Sequence, residues 1–408
     1  MKVYICITGD YEPSIKFNWK EDVIKPTEII LKICEDYNAN YSIFFDVCTT
    51  GVFKEVVDKN QILKVFQQVK TLILRGHDVQ LHLHQHWLPE LGSELRKEVV
   101  NEDLAHFRLQ SLPIGNFEDR KTIRGLFKWG VRTLEDMIKP VKPDYAVTSF
   151  RAGGYCIQPS QDIVKVMREV GILADSSVWF GGYKDDGVYY YDFRKAPSKY
   201  QPYYTTDDVL IPSTKNTNLG VIEFPIASMA VRNIKKLFLA KSFSHVELCQ
   251  FGKNQIKRFL LQFKKELERK DREHNFLTVT SHPKGLKTTD GFRCFLESAP
   301  KLLNDVAEVR FVTMSEAVKL FYNLYPMGTA KLSENNLIRS EHLKRISHVR
   351  RTNKNHGTRE FSLLHRSDNC SSNGFYYTPH FRPYLCSSRI RFNNACYVGG
   401  FHWQYRLW

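Results

Sequence analysis

The run Arg75-Gly76-His77-Asp78-Val79-Gln80-Leu81-His82-Leu83-His84-Gln85-His86-Trp87 places four histidines within ten residues. Polar and apolar residues alternate from Asp78 to Leu83, which predicts a strand. If the strand continues, His82, His84 and His86 share one face; if a helical turn follows instead, His82 and His86 still face together. Both geometries bring imidazoles together, and imidazole is the commonest protein ligand of zinc and similar ions. The alternative is a surface strand that happens to be rich in histidine.

The rest of the chain alternates between predicted strands and helices, which indicates parallel pairing through βαβ units. The predicted strands are 3–8, 41–47, 78–83, 145–150, 172–175, 221–226, 276–281 and 309–314. The predicted helices are 26–37, 61–74, 122–138, 161–170, 245–270, and a last one that Ser315 caps and that ends near Leu324. The stretch 180–220 is interpreted as irregular.

Polar residues follow these strands at their C-terminal ends, where parallel α/β barrels place their active sites. They are Asp10, Glu12, His82, His86, Arg151, Asp175 and His282. We therefore predict a parallel (β/α) barrel over residues 1–325, with a site at this end. Residues 326–408 lose the periodicity and are predicted to form a basic, weakly structured C-terminal extension.

The net charge of +15 is distributed unevenly along the 408 residues. From Lys331 onward there are thirteen Lys and Arg against four Asp and Glu. The barrel region is only mildly basic, so its charge does not indicate nucleic-acid binding. For the extension we predict peripheral attachment to an anionic membrane surface; the alternative is a disordered tail.

The cysteines and the N-terminus bear on the compartment. None of the nine cysteines forms a C-x-x-C pair, which favours reduced, structural thiols. The first residues are predicted to form a strand that leads directly to Asp10, with no signal peptide and no window of 18 apolar residues. We therefore expect a cytoplasmic protein, with the inner membrane surface as a further location.

The motifs resemble those of the polysaccharide deacetylase family, carbohydrate esterase family four, and most closely its lipopolysaccharide and exopolysaccharide biosynthesis branch. Gly76 to His86 is similar to the family's G-H-E-I-G-x-H-x-x-x-H motif, and Thr8-Gly9-Asp10-Tyr11 is similar to T-F-D-D. Three further stretches follow in the family's order over residues 1–325. They are Arg151–Tyr155 for R-x-P-x-G, Asp175–Trp179 for D-x-x-x-W, and Val279–His282 for L-x-x-H.

The resemblance implies a distorted (β/α) barrel that binds one divalent ion, zinc or else cobalt or nickel. It implies His82 and His86 as metal ligands and Asp10 as catalytic base. Arg151 would hold that base, His282 would act as general acid, and Asp175 would tune His282. Gly154, Tyr155, Trp179 and His84 are predicted to contact the substrate, with a backbone amide near Gly154 or Tyr155 at the oxyanion.

One departure concerns the metal's carboxylate, because Tyr11 stands where the family has its second aspartate. Three alternatives follow: Glu12 reaches the metal, Asp10 is the ligand and another residue is the base, or the chain is a weakened or inactive relative. The leading function is hydrolysis of N-acetyl or O-acetyl groups on a sugar of a surface-polysaccharide or lipopolysaccharide precursor. The alternatives are an allantoinase-like C–N hydrolase and a non-catalytic glycan-binding barrel.

Overall fold

The strand β1, Lys2–Tyr11, pairs with three parallel neighbours. The computed structural model describes residues 1–13, 18–49, 59–88, 108–214, 220–231 and 242–326. One edge of β1 pairs with β12, His274–Val279, and the other is shared by β13, Glu308–Phe311, and β2, Tyr41–Asp46. Every residue of β1 after the first is buried, as expected for a parallel strand covered on both faces.

The sheet continues from β2 through five further strands. They are β3 Asp78–Leu83, β4 Ser149–Ala152, β5 Ala174–Asp175, β8 Tyr203–Tyr204 and β9 Ile222–Glu223. The order across the sheet is β12-β1-β2-β3-β4-β5-β9-β8, and all neighbours in it are parallel except β8, which is antiparallel to β9. Just beyond β9, Ile226 pairs in parallel with Thr278 of β12. The sheet therefore curls until its two ends meet, which confirms the predicted distorted parallel (β/α) barrel.

Helices follow most of the parallel strands. They are α1 Lys25–Asp36, α2 Lys59–Leu74, α3 Ile123–Ile138, α4 Gln161–Glu169, α5 Lys253–Lys270, α6 Asp290–Leu303 and α7 Met314–Leu324. Within the described ranges no helix is both long enough and apolar enough to cross a bilayer. The predicted basic extension lies, from residue 327 onward, outside the residues that the structure describes.

The stretch 180–220, interpreted as irregular, contains strands. Tyr183–Asp185 (β6) and Tyr190–Asp192 (β7) form an antiparallel hairpin, and β8 joins the main sheet. A second antiparallel pair consists of β10, Ser228–Val231, and β11, Ser242–His245. These insertions have two or three paired residues per strand for the most part, too few for a periodicity to be visible in the sequence.

Two predicted helix starts are wrong. The helix predicted from His245 begins at Lys253, because Val246 and Leu248 are buried beside the barrel strands rather than on a helical stripe. The last helix is capped by Thr313, whose hydroxyl accepts a hydrogen bond from the Glu316 N–H. The Ser315 hydroxyl instead donates to the carboxylate of Asp78.

The side chain of Gln80 hydrogen-bonds to residues of β3, of α7 and at the start of β4. Its side-chain oxygen accepts hydrogen bonds from the backbone N–H groups of Thr148 and Ser149, at 2.9 and 2.8 Å. Its amide nitrogen donates to Asp78 and to Ser315 of α7, at 3.0 and 2.8 Å. Gln80 is fully buried, so water cannot replace these hydrogen bonds at its side chain.

We predict that Gln80→Met lowers the free energy of unfolding by about 2 to 4 kcal/mol, because it leaves buried backbone donors without an acceptor. The matched control is Gln67→Met on the exposed face of α2, for which we expect a change within about 0.5 kcal/mol. Urea denaturation followed by circular dichroism measures both. Equal destabilisation by the two variants would contradict the role of Gln80.

Candidate active site and metal centre

Polar side chains from five parallel strands converge at the C-terminal end of the barrel, and most are buried. They are Asp10 and Glu12 at the end of β1, Asp46 from β2, His82 and His84 at the end of β3, Arg151 from β4, and His282 after β12. This is the edge at which the sequence predicts the site. The convergence follows from parallel pairing, which brings the ends of neighbouring strands to one side of the sheet.

Arg151 and Asp10 form a fully buried ion pair. The Nη1 of Arg151 donates to Oδ1 of Asp10 at 2.6 Å. The remaining guanidinium donors bind neutral oxygens, and the ring of Phe44 lies 4.1 Å below the guanidinium carbon. These oxygens belong to Thr8, Thr280 and Ser176. Burial by itself would raise the pKa of Asp10, but Arg151, followed by His282, holds it far below the usual range.

His282 lies between two carboxylates. Its Nε2 is 3.2 Å from Oδ2 of Asp10, and its Nδ1 is 2.6 Å from Oε2 of Glu247. Burial favours the neutral imidazole, but Glu247 and Asp10 outweigh it and raise the pKa of His282 to about 10. Both ring nitrogens therefore carry a proton at neutral pH, and His282 is an imidazolium.

Glu247, which the sequence analysis missed, occupies the position expected for Asp175. The carboxylate of Asp175 accepts hydrogen bonds from the backbone and hydroxyl of Ser177. Its neighbour in the sheet is Glu223, and burial raises the pKa of both groups, most strongly that of Glu223. Asp175 therefore binds the neighbouring backbone at Ser177, whereas Glu247 hydrogen-bonds to His282. Glu247 lies in the stretch mispredicted as helix, so its place at a strand end was hidden.

Glu12, His82 and His84 form a group whose nitrogen and oxygen donors lie within 4.8 Å of one another. Oε2 of Glu12 contacts Nε2 of His84 and is 3.5 Å from Nε2 of His82. Its other oxygen, Oε1, accepts a hydrogen bond from Lys284 at 2.5 Å. Burial would raise the pKa of Glu12, but the charges of His84 and Lys284 hold it well below the usual range. Two of the three predicted ligands are thus in the group, together with His84.

His86, predicted as a ligand, is not a member of this group. β3 ends at Leu83 and a 3₁₀ turn, Gln85–Trp87, follows, so the strand alternation stops before His86. The His86 ring lies 5.3 Å from the ring of His84 and 4.4 Å from that of Trp87. Burial, and then the neighbouring His84, lower the pKa of His86 well below its usual value.

Gly153 makes room for the ring of His84. A Cβ atom at position 153 would lie 2.8 Å from Nδ1 of His84 and 2.6 Å from the carbonyl oxygen of Leu83. Real Cβ atoms do not approach other atoms so closely, and the Leu83 oxygen is backbone that cannot turn away. A residue without a side chain at position 153 is therefore needed for His84 to face Glu12.

The donor set fits a zinc-like ion. Nδ1 of His82 lies 2.8 Å from the carbonyl oxygen of Arg151, which can only accept, so Nδ1 carries the proton in the neutral ring. Nε2 of His82 then presents a lone pair toward Oε2 of Glu12, 3.5 Å away. Two imidazole nitrogens and one carboxylate oxygen are a ligand set that zinc prefers, with an open position for catalysis.

Asp46 is a further buried carboxyl group beside the histidines. Its Oδ1 accepts from the backbone N–H groups of His84 and Cys48, both at 3.1 Å, and its Oδ2 has no partner among the described residues. Burial raises the pKa of Asp46. The rule that polar residues at strand ends mark the site would have identified it, since the predicted strand 41–47 ends there.

The four residues predicted to contact substrate lie on different sides of the site. His84 is in the donor group, while Tyr155 and Trp179 pack around the ring of His245, at 5.7 and 5.2 Å between ring centroids. Gly154 and Tyr155 both have a left-handed backbone, with φ of 56° and 62°. That conformation is rare for a tyrosine, and it accompanies the packing of the Tyr155 ring against His245.

The raised pKa of His282 predicts a pH dependence of stability in metal-free protein. A group whose pKa rises on folding stabilises the fold fully below its unfolded value, 6.5, and this contribution is lost as pH rises toward about 10. We expect the free energy of unfolding of wild type, relative to His282→Gln, to fall across this interval. Denaturation in chelating buffer at several pH values measures it, and parallel curves for the two proteins would contradict it.

No protein-family model and no curated protein sequence matches the chain. Solved structures are similar to it at low identity. A protein assigned as a polysaccharide deacetylase from Mycobacterium smegmatis is 12% identical, with a TM-score of 0.44 over 81% of this chain and 94% of that one. Puue allantoinase is 11% identical, with a TM-score of 0.42 over 79% and 91%. The 4-alpha-glucanotransferase of Thermococcus litoralis is 14% identical, with a TM-score of 0.43 over 78% of this chain and 38% of its own length. At this level of similarity, the chemistry has to be judged from the chain's own side chains.

Proposed function

We propose that this chain is a metal-dependent hydrolase that removes N-acetyl or O-acetyl groups from a sugar. The observation that supports this most is the placement of two groups side by side at one end of the barrel. One is the cation-binding set of Glu12, His82 and His84. The other is the buried base and acid, Asp10 and His282. Hydrolysis of an amide or ester bond uses both kinds of group.

Glu12, His82 and His84 would hold the ion, with zinc as the first candidate and cobalt or nickel as alternatives. The chemistry that such an ion supplies when bound is polarisation of the acyl carbonyl and acidification of water. His82 contributes a fixed tautomer, because the Arg151 carbonyl accepts its Nδ1 proton. Gly153 contributes the space in which His84 turns toward Glu12.

Asp10 is suited to act as the base. Arg151 occupies its Oδ1 and keeps the carboxylate ionised, so Oδ2 can accept a proton from the attacking water. The resulting hydroxyl forms a new C–O bond at the acyl carbon. The carboxylate is protonated at the end of this step and needs a route to lose that proton.

His282 is suited to act as the acid. Its Nε2 proton passes to the sugar nitrogen, or to the sugar oxygen of an ester, as the bond to the acyl carbon breaks and acetate leaves. Glu247 holds the Nδ1 proton throughout, which fixes the ring orientation. The contact of 3.2 Å between Nε2 and Asp10 then lets the proton taken from water return to His282. The cycle consumes one water and leaves both groups as they began.

The cluster of aromatic rings formed by Tyr155, Trp179 and His245 is suited to a saccharide. Aromatic faces stack on sugar rings, and buried polar atoms bind hydroxyl groups. The Tyr155 hydroxyl is buried and has no hydrogen-bond partner among the described residues. We propose an acetylated sugar of a surface-polysaccharide or lipopolysaccharide precursor as substrate, on the family resemblance of the motifs.

The metal assignment predicts about one equivalent of zinc per wild-type chain after equilibration and removal of excess. Glu12→Gln, His82→Ala and His84→Ala should each lose it, because each removes one donor of the set. His86→Ala is the matched control, from the same turn of chain, and should retain the metal. Elemental analysis beside circular dichroism measures this. Retention in His84→Ala with loss in His86→Ala would contradict the assignment and favour the H-x-x-x-H pair.

The catalytic assignment predicts that chelation abolishes deacetylation of N-acetylhexosamine conjugates. Asp10→Asn and His282→Gln should lower turnover by about 10²- to 10⁴-fold while retaining bound metal, since neither residue is a proposed ligand. Acetate release measures turnover. Activity on cyclic ureides in place of acetylated sugars would favour an allantoinase-like hydrolase. Saccharide binding with neither metal nor turnover would favour a glycan-binding barrel.

A further inference from the structure

The two oxygens of Glu12 serve different partners. Oε2 faces the imidazoles of His82 and His84, and Oε1 accepts a hydrogen bond from the ammonium of Lys284. Lys284 thus holds the carboxylate through Oε1, while Oε2 remains directed at the two histidines. Lys284 has no place in the family motifs to which the chain is similar, and no step of the proposed reaction uses it.

Lys284 reaches Glu12 because of strand pairing. β1 and β12 are parallel neighbours, and the N–H of Asp10 donates to the carbonyl of Ser281 at 3.0 Å. Two ion pairs connect the ends of these strands: Asp10 with His282, and, two residues further along both strands, Glu12 with Lys284. The 3₁₀ turn Pro283–Gly285 follows directly and places Lys284 at the end of the pair.

We infer that Lys284 is a positioning residue for the metal centre: it anchors Glu12 through Oε1 so that Oε2 is presented to the ion. This inference rests on the proposed metal site. A glutamate has three side-chain torsions, and fixing them before binding removes an entropic cost that the ion would otherwise have to offset. Carboxylates that bind metals are commonly held in this way by a second hydrogen-bonding partner.

An opposite effect has to be weighed, because an ammonium near a dication repels it. Lys284 is on the far oxygen from the histidines, and its side chain is 31% exposed, whereas that of Glu12 is 7% exposed. Water therefore screens the lysine's charge more than it screens the contacts inside the donor group. The geometry therefore favours the positioning of Glu12 by Lys284, which raises metal affinity, over the repulsion of the ion by the ammonium, which lowers it.

The test is the zinc affinity of Lys284→Met, measured by competition with a chromophoric chelator in the full-length protein. Methionine keeps an unbranched side chain of similar length and removes both the hydrogen bond and the charge, and we expect affinity to fall by about 10- to 100-fold. Lys284→Arg, which keeps the donor and the charge, should restore most of it. Lys287→Met, an exposed lysine three residues further on, is the matched control and should bind zinc like wild type.

The absorption spectrum of the cobalt-loaded proteins provides a second readout, because it reports the ligand geometry. We expect it to change in Lys284→Met and to return in Lys284→Arg. Unchanged or tighter zinc binding in Lys284→Met would overturn the inference while leaving the metal site in place. Failure of wild type itself to bind zinc or cobalt would overturn the proposed function, and the role of Lys284 with it.

Discussion

The buried ion pair between Arg151 and Asp10 is the interaction on which the site depends. A guanidinium taken wholly out of water is costly unless every donor is bound, and here each nitrogen has at least one partner. Those partners come from the ends of β1 and β12 and from the chain after β5. The pair therefore connects strands from different parts of the ring, and it keeps a carboxylate ionised in a place where burial alone would protonate it.

From that pair, charge alternates outward across the site. Asp10 lies against His282, which lies against Glu247, so each ionised group is bounded by groups of opposite sign. On the other side of the site, the ammonium of Lys284 lies against the carboxylate of Glu12. The arrangement around Asp10 and His282 shifts the pKa of the aspartate down and that of the histidine up, as the proposed roles of base and acid require.

The sequence predicted the parts of this site that depend on strand order, and it failed where the strands end. Parallel alternation with polar ends located Asp10, Glu12, His82, Arg151 and His282 correctly at one edge of the sheet. It could not separate His84 from His86, because that choice depends on where β3 stops and a 3₁₀ turn begins. It assigned the partner of His282 to Asp175 because Glu247 was hidden in a segment with apparent helical periodicity, and the short insertion hairpins carried no visible pattern.

Strand geometry also explains where the side chain of Tyr11 lies. Side chains alternate along a strand, so Asp10 and Glu12 face the barrel mouth while Tyr11 faces the surrounding layer. There its ring stacks on Phe45 and packs against Trp19, and its hydroxyl donates to Gln68 of α2 at 2.7 Å. In this chain position 11 contributes to the core, and position 12 is the next one directed at the histidines. As a proposed ligand, Glu12 would need a histidine facing it and a second partner to hold its carboxylate. His84, which has space beside Gly153, contacts one oxygen of Glu12, and Lys284 after β12 binds the other. Under the proposed metal assignment, Glu12, His84, Gly153 and Lys284 therefore act together through one geometry.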